Sequence, residues 1–229
     1  MTEFDHFNKN LFKYLKDLEA NNEREWFKSR KELYEDRVRT PALDFVRSID
    51  DEMHVFAPHF VADDRKSGGS LLRVYRDTRF SKNKTPYKTH VGIQFKHEEG
   101  KDIHAPSYYI HLSNKECLMG IGMWSPETKV LFKIRTKIID EADRYKKIIN
   151  SKTFTNDFVM GGESLKRAPK GFDPEDPMII ELRRKSLIAI KTYTKKETVS
   201  SGFKDLILKD MKKGNAFMKF LCEAIDVPF

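Results

Sequence analysis

The sequence predicts an α+β domain: a mainly antiparallel sheet of about four to six strands covered by N-terminal and C-terminal helices. Apolar residues recur at helical spacing through the first 56 residues and again after Ser125. Between these two stretches, from Leu71 to Met123, apolar and polar residues alternate with period two. The connections inside that middle stretch are too short for crossover helices, which favours antiparallel pairing.

The helices come first. Phe4, Phe7, Leu11, Leu15 and Leu18 trace one helical face, and Asn21-Asn22 ends it, since asparagine tolerates left-handed turns. Asn22 is expected to cap the next helix, with Glu25 completing a capping box and Trp26, Phe27, Leu33 and Tyr34 on its apolar side. Thr40-Pro41 is expected to open a third helix, lined by Ala42, Phe45, Val46, Ile49, Met53 and Phe56.

The strands follow. Leu71–Arg76 reads as a strand that leads into a basic segment; Val91, Ile93 and Phe95 form the inward face of a second. A loop through Glu99-Gly100-Lys101 leads to Tyr108, Ile110 and Leu112, with Tyr109 and His111 on the opposite face. A turn at Asn114-Lys115 returns the chain through Cys117, Met119, Ile121 and Met123, completing a four-stranded meander.

Beyond the sheet, Ser125-Pro126-Glu127 starts a helix carried to about Ile149 by Val130, Leu131, Ile134, Ile138 and Tyr145. Gly161-Gly162 and Pro169 to Pro177 read as loops, Met178 to Arg184 as a short helix, and Leu187 to Ile190 as an edge strand. A last helix runs from Phe203 to Ile225 and is interrupted by Gly214. The chain is taken as one domain, 1–229, with a subdivision near residue 150 as the other reading.

Composition narrows the function classes. A mean hydropathy of −0.63 and the lack of any apolar run near the roughly 20 residues of a membrane helix predict a protein that does not enter the membrane. The acidic start Met-Thr-Glu-Phe-Asp does not resemble a secretory signal, and the two distant cysteines, Cys117 and Cys222, suit a reducing, cytoplasmic setting. On that reading the glycosylation pattern Asn83-Lys84-Thr85 is a chance match. The seven histidines form no metal-ligand spacing, with His104 and His111 separated by a strand start, so no metal is expected and no cofactor is named. Nucleophile-elbow, Walker and kinase patterns are lacking.

The formal charge of +8 favours anionic partners. It is concentrated between Arg73 and Lys88, where Arg73, Arg76, Arg79, Lys82, Lys84 and Lys88 face one acid, Asp77, with Tyr75, Phe80 and Tyr87 interleaved. Crowded cations repel one another unless an anion sits among them, and arginine forks match phosphate or carboxylate oxygens in pairs. The segment is therefore expected to bind a small phosphate- or carboxylate-bearing ligand. Arg76 and Arg79 would be the bidentate donors, Lys84 and Lys88 point charges, and Tyr87 a stacking or hydrogen-bonding group.

Three further candidates accompany it. Gly120 and Gly122 leave strand backbone bare before a helix start, Lys170 lies in a later basic cluster from Lys166, and Asp77 or His111 could move a proton were the protein an enzyme. Two other readings stand beside this one. One is a nucleic-acid-binding module on the same loop. The other is a protein-interaction domain whose basic loop pairs internally with the Asp and Glu residues of its own helices; the plainest reading of the charge run itself is a solvated surface loop with Asp77 paired to Arg79.

Four motifs carry a family resemblance: Asn21-Asn22-x-x-x-Trp26-Phe27, the long Arg76-Asp77-x-Arg79-Phe80-Ser81-x-x-Lys84-x-Pro86-Tyr87-Lys88, Gly120-x-Gly122-x-Trp124-x-Pro126 and Pro169-Lys170-Gly171-Phe172. Their order resembles that of a widespread microbial family of conserved hypothetical proteins grouped as a domain of unknown function. The resemblance covers essentially the whole chain. It implies that Arg76 to Lys88 is the family's hallmark segment, and it implies no activity. The chain departs from the family at Glu175-Asp176-Pro177, where an acidic-His-Pro step is usual, and in a glycine strand interrupted by Met119, Ile121 and Met123.

Overall fold

The computed structural model describes residues 4–100 and 106–229; Lys101 and His104 lie outside them. Among the described residues six strands form one antiparallel sheet in the order β1-β2-β3-β4-β6-β5. They are β1 Phe60–Val61, β2 His90–His97, β3 Ser107–Ser113, β4 Cys117–Met123, β5 Val159–Gly161 and β6 Leu187–Tyr193. The α+β reading holds, and β2, β3 and β4 stand where the alternation places them.

The meander's fourth member does not. Leu71–Arg76 makes only isolated bridges, Leu71 to Ile93 and Tyr75 to Tyr87, because its first half follows β2 and its second half follows Pro86–Lys88. The strand beside β4 is β6. This strand is not an edge: Val159–Gly161, which runs into the Gly161-Gly162 pair read as loop, supplies β5 on its outer side. A Cβ on Gly161 would approach the Ile190 side chain to 2.6 Å, so glycine permits this pairing.

The helices are α1 Lys9–Ala20, α2 Arg24–Ser29, α3 Lys31–Tyr34, α4 Thr40–Phe56, α5 Thr128–Asp140, α6 Ala142–Ile149, α7 Lys152–Thr155, α8 Ile179–Leu182, α9 Lys195–Thr198, α10 Phe203–Lys213 and α11 Asn215–Ala224. Phe4 and Phe7 precede α1, which Asn8 caps, and they reach the core as ring neighbours of Phe45. Glu23, not Asn22, holds the cap position of α2 and makes no capping bond, so the expected capping box is absent.

Thr40-Pro41 opens no new helix either. A π turn at Glu35–Arg39 joins α3 to α4, and the Thr40 N–H donates to the Glu35 carbonyl five residues back. The wider turn accommodates Pro41, which has no N–H to contribute and whose ring would crowd an α-helical carbonyl. The helix expected from Ser125 begins instead at Thr128, because Ser125 takes a positive φ of 46° and donates its N–H to Ser186 Oγ. It is broken at Glu141, after which Tyr145 hydrogen-bonds Glu181 and packs on Phe220. Gly214 separates α10 from α11.

The core lies between one sheet face and the helices. Ile93 and Phe95 of β2, Tyr108 and Ile110 of β3, and Met119 and Ile121 of β4 are buried there with Phe45, Ile49, Phe203 and Phe217. Alternation puts His90, Gln94, Tyr109, His111, Leu118 and Gly120 on the opposite face, which carries a groove.

Candidate functional site

The basic segment is a loop closed at its base. The Arg76 N–H donates to the Pro86 carbonyl at 2.9 Å and the Lys88 N–H to the Val74 carbonyl at 2.7 Å. Asn22 ties the returning strand to the start of α2. Its Nδ2 donates to the Tyr87 carbonyl at 2.9 Å, and the Tyr87 N–H donates to its Oδ1 at 3.0 Å. Tyr87 itself is buried, stacked on Phe27 at 4.1 Å. Its ring face is therefore taken by the protein, and it anchors the loop.

Between this loop and α2 runs a cleft of about 760 Å³. The loop contributes Arg76 and Lys84; the helical side contributes Arg24, Lys28 and Lys31. Two acids, Glu23 and Glu25, also line it. Arg76 donates to the Thr85 hydroxyl and Lys84 Nζ to the Thr78 carbonyl at 2.9 Å. Among the described residues, none of these five cations has a carboxylate at ion-pair distance. The three helical cations were not singled out in the sequence. Their signal was the pair Arg24 and Lys28, four residues apart on a helix that directly follows Asn21-Asn22.

Asp77 and Arg79 stand apart from the cleft. Arg79 grips Asp77 with Nε at 3.0 Å and a second guanidinium nitrogen at 2.7 Å, and its backbone N–H adds a third bond at 3.1 Å. The Arg79 guanidinium holds the Asp77 carboxyl well below the usual carboxylate range, so this group has little affinity for a proton at neutral pH. Arg79 also lies 5.8 Å from the ring centre of Phe80, which is 96% exposed.

His111, Gly120 and Gly122 are brought together, but elsewhere. They line the groove on the open sheet face, about 420 Å³ in volume. His111 stacks on His90 at 4.4 Å and lies 3.4 Å from the Tyr109 hydroxyl through Nδ1. Burial holds His90 at about 4, with His111 and Lys88 adding to the effect, and it lowers His111 as well. Lys88 is lowered by burial and by Arg73, and lines neither space.

Gly120 is bare, with nothing within 4 Å of where a Cβ would stand. Gly122 has a different reason to be glycine: its φ is 115° and a Cβ would stand 2.1 Å from the Leu187 carbonyl oxygen. Lys170 is exposed and lines neither space; its neighbour Phe172 packs on Phe132 of α5. Among the described residues no group of three or more His, Cys, Asp and Glu side chains is arranged to hold a metal ion, and no helix is long and apolar enough to cross a membrane.

Comparison with known proteins gives one match. A family model described as "Conserved hypothetical protein (DUF2461)" matches residues 10–220, and the chain belongs to this family. No curated protein and no solved structure matches it.

Proposed function

We propose that this member of the family binds a small phosphate- or carboxylate-bearing ligand in the cleft between α2 and the pinned basic loop. One observation carries the reading: Arg24, Lys28, Lys31, Arg76 and Lys84 converge on one cleft without a carboxylate partner. Lys191 and Lys213, by contrast, are each matched by both Asp157 and Asp210. An anion in the cleft would relieve the repulsion among the five and accept charge-assisted hydrogen bonds. The clamp from Asn22 to Tyr87 supports the reading by holding one wall in place before a ligand arrives. Asp77 and His111 stand outside this cleft, so the proposal is one of binding.

The test is calorimetric titration and thermal shift with inorganic phosphate, a sugar phosphate and citrate, comparing the native protein with Lys28→Glu/Lys31→Glu. Both lysines are exposed, so the fold should survive. A ligand at 100 times its dissociation constant adds about 2.7 kcal/mol, which the variant should lose. No shift with any of the three probes, or equal shifts in both proteins, would overturn the proposal.

A second reading is favoured by Phe80, which stands almost fully exposed beside Arg79 and could stack an unpaired base. Phe80→Ala should then weaken single-stranded oligonucleotide binding and leave inorganic phosphate binding unchanged. The affinity should also fall steeply with salt. A cytoplasmic setting belongs to the same proposal, supported by Cys117 and Cys222, both free, buried thiols.

A further inference from the structure

We infer that the open face of the sheet is a second binding site, made for a small uncharged heteroaromatic molecule. It shares no lining residue with the basic cleft, so it stands independently of the anion proposal.

The site is made by an omission. On this face Gly120 pairs with Tyr109 on one side and with Ile190 on the other. Those neighbours carry large side chains and Gly120 carries none, so a trough opens over bare backbone. Leu118, Ile188 and Leu72 form apolar walls, and Trp124, 60% exposed, stands at the rim. The volume of about 420 Å³ is that of a small-molecule site, and apolar walls with a few convergent polar groups are the usual make-up of one. An exposed tryptophan and a tyrosine on a flat floor suit a planar ring, which gains from offset or edge-to-face ring contacts.

The polar end sets the ligand's charge. Tyr109 and His111 meet there, and Gln94 donates to Ser107 Oγ at 3.0 Å, which leaves the Gln94 carbonyl oxygen free to accept. Burial keeps His111 and the His90 stacked behind it neutral at pH 7. Glu116 is the one formally charged residue of the lining; it disfavours an anion, and its carboxylate, 58% exposed and solvated, gains little from a cation. A ring nitrogen or ring N–H can meet the tyrosine hydroxyl, imidazole and amide without bringing a charge into apolar surroundings.

Indole, indole-3-acetate and tryptamine form a matched neutral, anionic and cationic set. They should be titrated against the full chain at pH 7.5 and followed by protein-observed and saturation-transfer NMR. Indole should shift the signals of Tyr109, His111 and Gly120, and each charged probe should bind about tenfold more weakly. Gly120→Leu should fill the trough and abolish the shifts, with thermal melting and near-ultraviolet dichroism confirming that it folds. Trp124→Ala, at an exposed position, provides a second variant and should weaken indole binding. The inference fails if indole shifts nothing on this face at its solubility limit. It fails equally if folded Gly120→Leu binds indole like the native chain, or if either charged probe binds as tightly as indole.

Discussion

One side-chain amide answers both backbone groups of a residue 65 positions away: Asn22 donates to the Tyr87 carbonyl and accepts from the Tyr87 N–H. An asparagine amide has the donor and acceptor spacing of a peptide unit, so it completes a short piece of ladder where no strand is present. Asn22→Ala should leave both groups without protein partners in a part-buried place. The expected loss is about 1–3 kcal/mol in urea unfolding, with faster hydrogen exchange at Arg76 and Lys88. Asn22→Asp keeps the acceptor and loses the donor, so it should fall between.

Gly214 lies where the helix turns close over β4. A Cβ there would stand 2.3 Å from Cδ1 of Ile121, itself buried. Alanine is the better helix former by about 1 kcal/mol, yet overpacking costs about 1–3 kcal/mol. Gly214→Ala should therefore destabilise the protein. Ile121→Val removes the clashing methyl, and the double variant should lose less than the sum of the single losses in equilibrium denaturation.

Asp210 is fully buried and holds Lys191 at 2.7 Å, Lys213 at 2.9 Å and the Tyr193 hydroxyl at 3.0 Å. Asp157 faces the same two lysines. Asp210→Ala should cost about 3–5 kcal/mol, because two lysines would be left with one carboxylate. Burial works against ionisation of Asp157, and Lys191 and Lys213 more than offset it, so its carboxyl sits below the ordinary value. Stability from this group is present above the unfolded pKa of about 4 and is lost as pH falls through the folded one. Asp157→Asn should flatten that acid limb in urea unfolding followed below pH 4.

His90 works with the opposite charge. Its folded value of about 4 lies below the ordinary 6.5, owing to burial, His111 and Lys88. Between these values the unfolded chain binds more protons, so stability should fall as pH drops from 6.5 toward 4 and level off below. Proton NMR should show this imidazole titrating near 4. His90→Gln should remove its share of the slope while His111 retains its own.

The strands that alternate cleanly were legible: β2, β3 and β4 each bury every second residue against the helices, and that pattern is written in the order of side chains. Leu71–Arg76 alternates too, but pairs with two different partners in turn, and pairing partners leave no trace in local periodicity. The glycine pair Gly161-Gly162, of which the first ends β5, hid a strand because turn signals and close packing use the same residue. At the site, the loop's own cations were visible as a run in the sequence. Lys28 and Lys31 were not, since only the fold brings α2 alongside that loop. The role of Asn22 was misread for a related reason. Capping a helix and clamping a distant backbone need the same side chain.

The π turn between α3 and α4 sets a phase. Buried Tyr34, Val38, Ala42 and Val46 recur every fourth residue, and on an α-helix such steps drift around the axis by about 40° each. The wide turn at Glu35–Arg39 absorbs that drift and keeps one stripe facing the core. Segment length here behaves as a reading frame. Removing one residue would act less like trimming a linker than like a frameshift, rotating everything downstream of Arg39 away from the sheet it covers.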